Sequence, residues 1–229
     1  MAFIEVASGV YQVGGNGLSE PDDCCVYLVS CGEEAVLVDT GTGPAGDLIY
    51  KNIISTGINP QLVRNIIITH GHIDHIGNLA WMKDRLAARV TAHQLELPAI
   101  QEGKPQLTAA AYYGVDYQPV EVENVIIGEQ KIIFADKEFE CLFTPGHTPG
   151  SMSILTRTGE DKILFGQDIH GPFSSIWGSN LGDWKHSMYH LLDREADILC
   201  EGHFGIIRGR NQVTAFIQGY LNQYARRDR

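Results

Sequence analysis

Thr69-His70-Gly71-His72-Ile73-Asp74-His75-Ile76-Gly77-Asn78 puts three of the chain's nine histidines and one aspartate into six consecutive positions. The cluster stands directly behind the apolar run Ile66-Ile67-Ile68. A short β-branched run of this kind reads as a buried strand, so the cluster begins where a strand ends. Residues two apart in extended chain project to one side, so His70 and His72 can converge on one point. Asp74 and His75 come where the chain turns into a helix, and can reach a second point nearby. The apolar positions Ile76, Leu79, Met82 and Leu86 give that helix one buried stripe. Imidazole and carboxylate are donors that zinc, iron and manganese accept, so the stretch reads as metal capture.

Upstream of it, FIEVASGVYQV (3–13), CCVYLVS (24–30) and EAVLVDTG (34–41) read as strands separated by turns, the last closing on Asp39, Thr40 and Gly41. AGDLIYKNIISTG (45–57) has helical spacing and a glycine stop, and NPQLVRNIIITH (59–70) is a helical turn running into the strand 66–69. Downstream, strands return in KIIFADKEFECLFT (131–144), SMSILT (151–156), KILFG (162–166) and ADILCEG (196–202), with helices over 184–192 and 211–225. This order predicts an α/β (α+β) chain of two related halves, sheets inside and helices outside, forming one domain over 1–229. The segment 94–120 differs in texture. It carries Pro98, Pro105, the run Ala109 to Ala111 and three tyrosines, and reads as a broken helical insertion covering the body of the protein.

Three more metal-capable side chains stand at strand ends followed by tight turns: His147 in Thr144-Pro145-Gly146-His147-Thr148-Pro149-Gly150-Ser151, Asp168 in Gly166-Gln167-Asp168, and His203 in Glu201-Gly202-His203. Strand ends are where α/β proteins gather ligands. The ordered set HxHxDH, then GHTPGS, then a strand-ending Asp, then a strand-ending Gly-His resembles the metallo-β-lactamase superfamily over essentially the whole chain. The resemblance implies a four-layer αββα sandwich and two divalent metal ions, zinc first, with iron or manganese as alternatives. It implies that His70, His72 and His147 hold one ion, that Asp74, His75 and His203 hold the other, and that Asp168 bridges them. Asp39 matches a family position behind the ligands, or else caps its turn.

Metal ions of this kind lower the pKa of water from 15.7 to roughly 7. The expected activity is therefore hydrolysis by a metal-bound hydroxide, with Asp74 both ligating and orienting the nucleophile. No rival nucleophile is legible, since Ser151 lacks a GxSxG elbow and Cys200 lies in a strand. Within the family, β-lactamases replace the strand-ending Asp, diiron oxygen reductases carry Glu where His72 stands, and acyl-homoserine lactonases keep a Tyr where Gly171 stands. Glyoxalase II has a C-terminal helical region without counterpart after His203. What is left is a hydrolase of a small ester, thioester or lactone. The alternatives are a phosphodiesterase, an oxidoreductase resembling the mononuclear-iron persulfide dioxygenases, and a binding protein that keeps the fold. Specificity is expected from Tyr112, Tyr113 and Tyr117, with Lys104 and Gln106 beside them, and from His170, Phe173, Trp177 and Asn180. His93, His186 and His190 read as structural or solvated.

Composition narrows the partners. Lys plus Arg is 17 against 28 for Asp plus Glu, a net charge of −11. The tightest basic cluster is Arg226, Arg227 and Arg229, too little to track a phosphate backbone, so nucleic acid is disfavoured. No apolar stretch approaches the roughly 20 residues of a membrane span, and MAFIEVASGV lacks the marks of a signal peptide. Five cysteines without a CxxC pair read as reduced, mostly buried thiols. The expectation is a cytoplasmic protein acting on a small molecule, with a homodimer left open.

Overall fold

The computed structural model describes residues 1–15, 17–43 and 45–225; the arginines at 226, 227 and 229 lie outside the described residues. Among the described residues, thirteen strands form two sheets. The first runs in sequence order through β1 (Ile4–Ala7), β2 (Val10–Gln12), β3 (Tyr27–Cys31), β4 (Glu34–Val38), β5 (Val63–Ile67), β6 (Arg89–His93) and β7 (Asn124–Ile126). Its first four strands pair antiparallel and its last four parallel. The second holds β8 (Gln130–Phe134), β9 (Lys137–Phe143), β10 (Met152–Thr158), β11 (Asp161–Gln167), β12 (Ile198–Glu201) and β13 (Gly205–Arg208), in the spatial order β13-β12-β11-β10-β9-β8. There only β11 and β12 run parallel.

Side-chain alternation builds the layers. In β3 and β4, Tyr27, Val29, Val36 and Val38 point between the sheets, where they meet Phe139, Cys141, Ile154, Phe165 and Cys200 of the second sheet. Their neighbours Leu28 and Leu37 point the other way, into a core shared with Ile49 and Ile53 of α1 (Gly46–Ser55). The outer face of the second sheet, through Leu142, Leu155 and Leu164, is covered by Trp184, Met188, Val213 and Ile217. Three apolar cores thus separate four layers, the αββα arrangement expected. All five cysteines are free and buried. No helix among the described residues is long and apolar enough to cross a membrane.

The structure departs from the sequence reading in detail. The helix expected from Asp74 is two: α2 (Ile73–Ile76) and α3 (Leu79–Leu86). The break falls at Asn78, whose backbone N–H donates to Gly41 O and whose side-chain amide donates to Thr40 O, tying the helices to the loop after β4. β5 begins three residues earlier than read and ends at Ile67. β13 was not anticipated. The segment 94–120 folds into α4 (Leu97–Ile100), α5 (Pro105–Thr108) and α6 (Ala110–Tyr113), single turns broken by glycines and prolines. α7 (Leu181–Leu192) and α8 (Arg210–Ala225) complete the outer layer.

Candidate metal centre

Seven metal-capable side chains from five segments meet at one end of the two sheets. His70 and His72 follow β5, Asp74 and His75 lie on α2, His147 sits between β9 and β10, Asp168 follows β11, and His203 lies in the turn between β12 and β13. They form two groups, each with its donor atoms within 4.8 Å of one another: His70, His72 and His147, then Asp74, His75, Asp168 and His203. In the first, His72 Nδ1 lies 3.1 Å from His70 Nε2 and 2.9 Å from His147 Nε2. In the second, His203 Nε2 lies 3.1 Å from Asp74 Oδ2 and 3.2 Å from Asp168 Oδ2. Asp168 faces both groups, since its Oδ1 is 3.2 Å from His75 Nε2 and its Oδ2 is 3.6 Å from His147 Nε2.

These residues fit divalent ions. Two nitrogens bound tetrahedrally at about 2.0–2.1 Å stand roughly 3.3 Å apart, close to the spacing in the first group. His75 Nε2 and Asp168 Oδ1 are buried and face each other at 3.2 Å without the geometry of a hydrogen bond, a cost that a bound cation would remove. Three imidazoles in one group, and two imidazoles with two carboxylates in the other, are donor sets for zinc, iron or manganese.

Supporting contacts orient the rings. The carbonyl of Pro172 accepts from His147 Nδ1 at 2.7 Å, which leaves Nε2 for the group. Asp39, in the left-handed region at φ 60°, accepts from the Thr69 backbone N–H at 2.9 Å, the Thr69 hydroxyl at 2.8 Å and His75 Nδ1 at 2.8 Å. It stands behind a ring of the second group, so it acts as more than a turn cap. Burial lowers His72 to about 3, and burial with His72 beside it lowers His147 to about 3, which keeps these imidazoles neutral and able to donate lone pairs. His75 is raised: burial opposes its charge, but Cys24, Asp168, Asp39 and Asp74 outweigh it. His203 is likewise raised to about 10 against burial by Asp168 and Asp74.

A cavity of about 450 Å³ opens onto both groups. Ala109, Tyr112 and Tyr113 wall one side and His170, Pro172 and Trp177 another. Trp177 meets His72 edge-on at 4.9 Å and Tyr112 at 5.8 Å between ring centroids. His170 Nδ1 lies 2.7 Å from the buried carboxylate of Glu201.

Other residues named from sequence stand elsewhere. Tyr117 does not line the cavity: it packs on the helix-side core and donates its hydroxyl to Ile100 O at 3.0 Å. Phe173 packs between Trp184 and Tyr224, behind His147, rather than facing the cavity. Asn180 caps α7, accepting from the Gly182 and Asp183 amides. Lys104 pairs with Glu102 at the surface, and Gln106 is exposed. His93 stacks on Phe143, His186 is exposed, and His190 pairs with Glu129. Sequence reasoning missed Glu201 and Glu96, both buried carboxylates that brace loops around the site. Glu96 has no spacing signal, because the backbone amides that define it are brought to it by folding, and Glu201 braces the turn of His203 and Phe204 through their amides while its other oxygen meets His170 from a distant loop.

Comparison with known proteins agrees with this geometry. The sequence profile of the metallo-beta-lactamase superfamily matches residues 20–207. The probable metallo-hydrolase YybB of Bacillus subtilis (strain 168) is 28% identical over 156 residues, 64% of this chain and 65% of that protein. The probable metallo-hydrolase YqgX of the same organism is 26% identical over 146 residues, 64% of this chain and 66% of that protein. The chain thus spans just under two thirds of these two relatives. Among solved structures, a motif mutant of a Cronobacter sakazakii metallo-beta-lactamase superposes with a TM-score of 0.84 at 18% identity, covering 99% of this chain and 96% of that one. BJP-1, a subclass B3 metallo-beta-lactamase of Bradyrhizobium japonicum, superposes with a TM-score of 0.81 at 17% identity, covering 99% and 93%. At such identities these structures share the fold.

Proposed function

The chain belongs to the metallo-beta-lactamase superfamily, and on that premise we propose that it hydrolyses an ester, thioester or lactone bond of a small uncharged molecule with two divalent cations, zinc first. The observation that carries this reading is Asp168, whose two oxygens face both donor groups. A bound pair of such ions supplies acidified water and polarises the scissile carbonyl. His70, His72 and His147 would hold one ion, Asp74, His75 and His203 the other, and Asp168 would touch both.

The chain's own residues do the rest. Asp74 opens into the cavity beside His203, where it can orient the attacking water and take its proton. Asp39 and the Pro172 carbonyl fix the tautomers of His75 and His147, so that no ring turns during turnover. Tyr112, Trp177, Ala109 and Pro172 form an apolar wall that seats the non-reacting part of the substrate and excludes water. Neither Lys nor Arg lines the cavity among the described residues, which supports an uncharged substrate over a phosphodiester. Five free, buried thiols support a reducing, cytoplasmic setting.

The test is a panel of lactones, thioesters and phosphodiesters turned over by protein of measured metal content. The expected result is two ions per chain and turnover of a carbonyl substrate. One iron per chain with oxygen uptake would overturn it.

A further inference from the structure

Glu96 lies outside the seven donors and outside the cavity, at the end of a single turn after β6, and is 3% exposed. Its Oε2 accepts the Gly71 backbone N–H at 2.7 Å. Its Oε1 accepts the Gly150 backbone N–H at 2.7 Å and the Thr148 hydroxyl at 2.7 Å. Gly71 stands between His70 and His72, and Thr148 follows His147. One buried carboxylate therefore joins the two loops that carry all three imidazoles of the first group.

The fit is close on both sides. A Cβ at Gly71 would lie 3.0 Å from Glu96 Oε2 and 2.5 Å from the Ala99 Cβ. A Cβ at Gly150 would lie 2.7 Å from Oε1 and 2.8 Å from the Glu96 Cγ. Both loops come near enough to donate to this carboxylate because glycine stands at these two points. A buried carboxylate costs several kcal/mol unless donors surround it, and here three donors from two distant loops do so. Withdrawing either loop would leave the carboxylate short of partners, so its desolvation holds the loops at one separation.

We propose that Glu96 is a positioning residue which sets the spacing of His70 and His72 against His147, and through it the affinity of that triad for its metal ion. It acts through two backbone amides and the Thr148 hydroxyl, and touches neither ion nor substrate. This rests on the metal reading of the site given above.

The experiment is a competitive Zn²⁺ titration of the full chain against a chromophoric chelator, for wild type, Glu96→Gln and Thr148→Val. Asp74→Ala, which removes a donor of the second group, identifies the binding step that belongs to the triad. Glutamine keeps the shape of Glu96 but turns an NH₂ toward at least one of the three donors. Supporting groups of this kind are worth about 10- to 100-fold in metal affinity. The expected result for Glu96→Gln is that loss in the triad's step alone, with less than threefold change in the other. Excess Zn²⁺ should restore kcat with KM unmoved, and thermal unfolding should stay cooperative. Thr148→Val removes one of the three bonds and should weaken the same step by a few-fold; it carries the test alone if Glu96→Gln does not fold. Equal weakening of both steps, or no change in either, overturns the proposal while leaving the metal reading intact. Wild-type protein that binds no Zn²⁺ overturns both.

Discussion

Asp39→Asn isolates a single proton. Asp39 has φ 60°, a left-handed conformation that asparagine tolerates as readily as aspartate, so the backbone has no reason to move. Its Oδ1 accepts the Thr69 N–H, and an amide oxygen can do the same. Its Oδ2 faces the Thr69 hydroxyl and His75 Nδ1, both at 2.8 Å. An NH₂ there meets His75 Nδ1 as a donor, so the ring must accept at Nδ1 and carry its proton on Nε2. Nε2 is the atom that faces Asp74 and Asp168, and a protonated nitrogen cannot bind a metal. The hydrogen bond lost is one to a carboxylate, worth about 1.5–3 kcal/mol. The expected loss of affinity at the second group is therefore about 10- to 100-fold, or about 1.4–2.7 kcal/mol. The assay is the stepwise Zn²⁺ titration with a chelator, alongside a thermal melt to establish that the variant folds. Two unchanged binding steps in a folded Asp39→Asn protein, or a loss confined to the triad's step, would refute the tautomer argument.

Asp168→Ala should reduce turnover more than any tyrosine exchange in the insertion, by 100-fold or more on the order of a lost metal-bridging ligand; full turnover with two ions retained would remove Asp168 from the site. Tyr112→Ala should change the relative rates across a substrate panel with metal content intact, because the ring walls the cavity, whereas Tyr117→Phe should leave those ratios alone and cost about 1 kcal/mol of stability through its hydrogen bond to Ile100. Selectivity that followed Tyr117 instead of Tyr112 would contradict this assignment of the wall. In metal-free protein, His72 and His147 sit near 3 when folded and near 6.5 when unfolded. The unfolded chain then binds the extra protons, so their contribution is full above pH 6.5 and drains as pH falls toward 3. Between pH 6.5 and 5 that is about 1.6 kcal/mol for each histidine, measurable by urea unfolding, and a flat profile over this interval would mean that the imidazoles are not neutral. His203 and His75 have the opposite sign, so an alkaline flank should appear above pH 6.5 and diminish when Zn²⁺ is added.

The layers were legible because alternation is a local property. Tyr27 and Val29 against Leu28, or Val36 and Val38 against Leu37, already state that a strand is buried on both faces. The strand ends were legible for the same reason, and with them the places from which His70, His147, Asp168 and His203 project. The split between α2 and α3 was not, because a continuous apolar stripe over Ile76, Leu79 and Met82 survives the break. What interrupts the helix is a tertiary partner, the loop at Thr40 and Gly41, which binds Asn78 across a long stretch of sequence.

The cavity wall was only partly legible, and the reason is directional. Tyr112, Tyr113 and Tyr117 have the same chemistry and lie within six positions, yet two face the cavity and one faces the core. Their segment has neither a helical nor an extended period, because α5 and α6 are single turns separated by Ala109 at φ 55°. Without a period, sequence spacing carries no information about the direction of a side chain. Glu96 is the stronger case. On a strand end followed by a turn, a glutamate reads as a solvated charge, and nothing in Ala92-His93-Gln94-Leu95-Glu96 marks it as buried. Its role is written in Gly71 and Gly150 instead, two residues without side chains on two other loops, which become informative only when the three segments are brought together. Candidate metal donors announce themselves because ligation requires particular side chains, whereas the residue proposed to space them is met by two backbone amides and one hydroxyl, groups that nearly every sequence has.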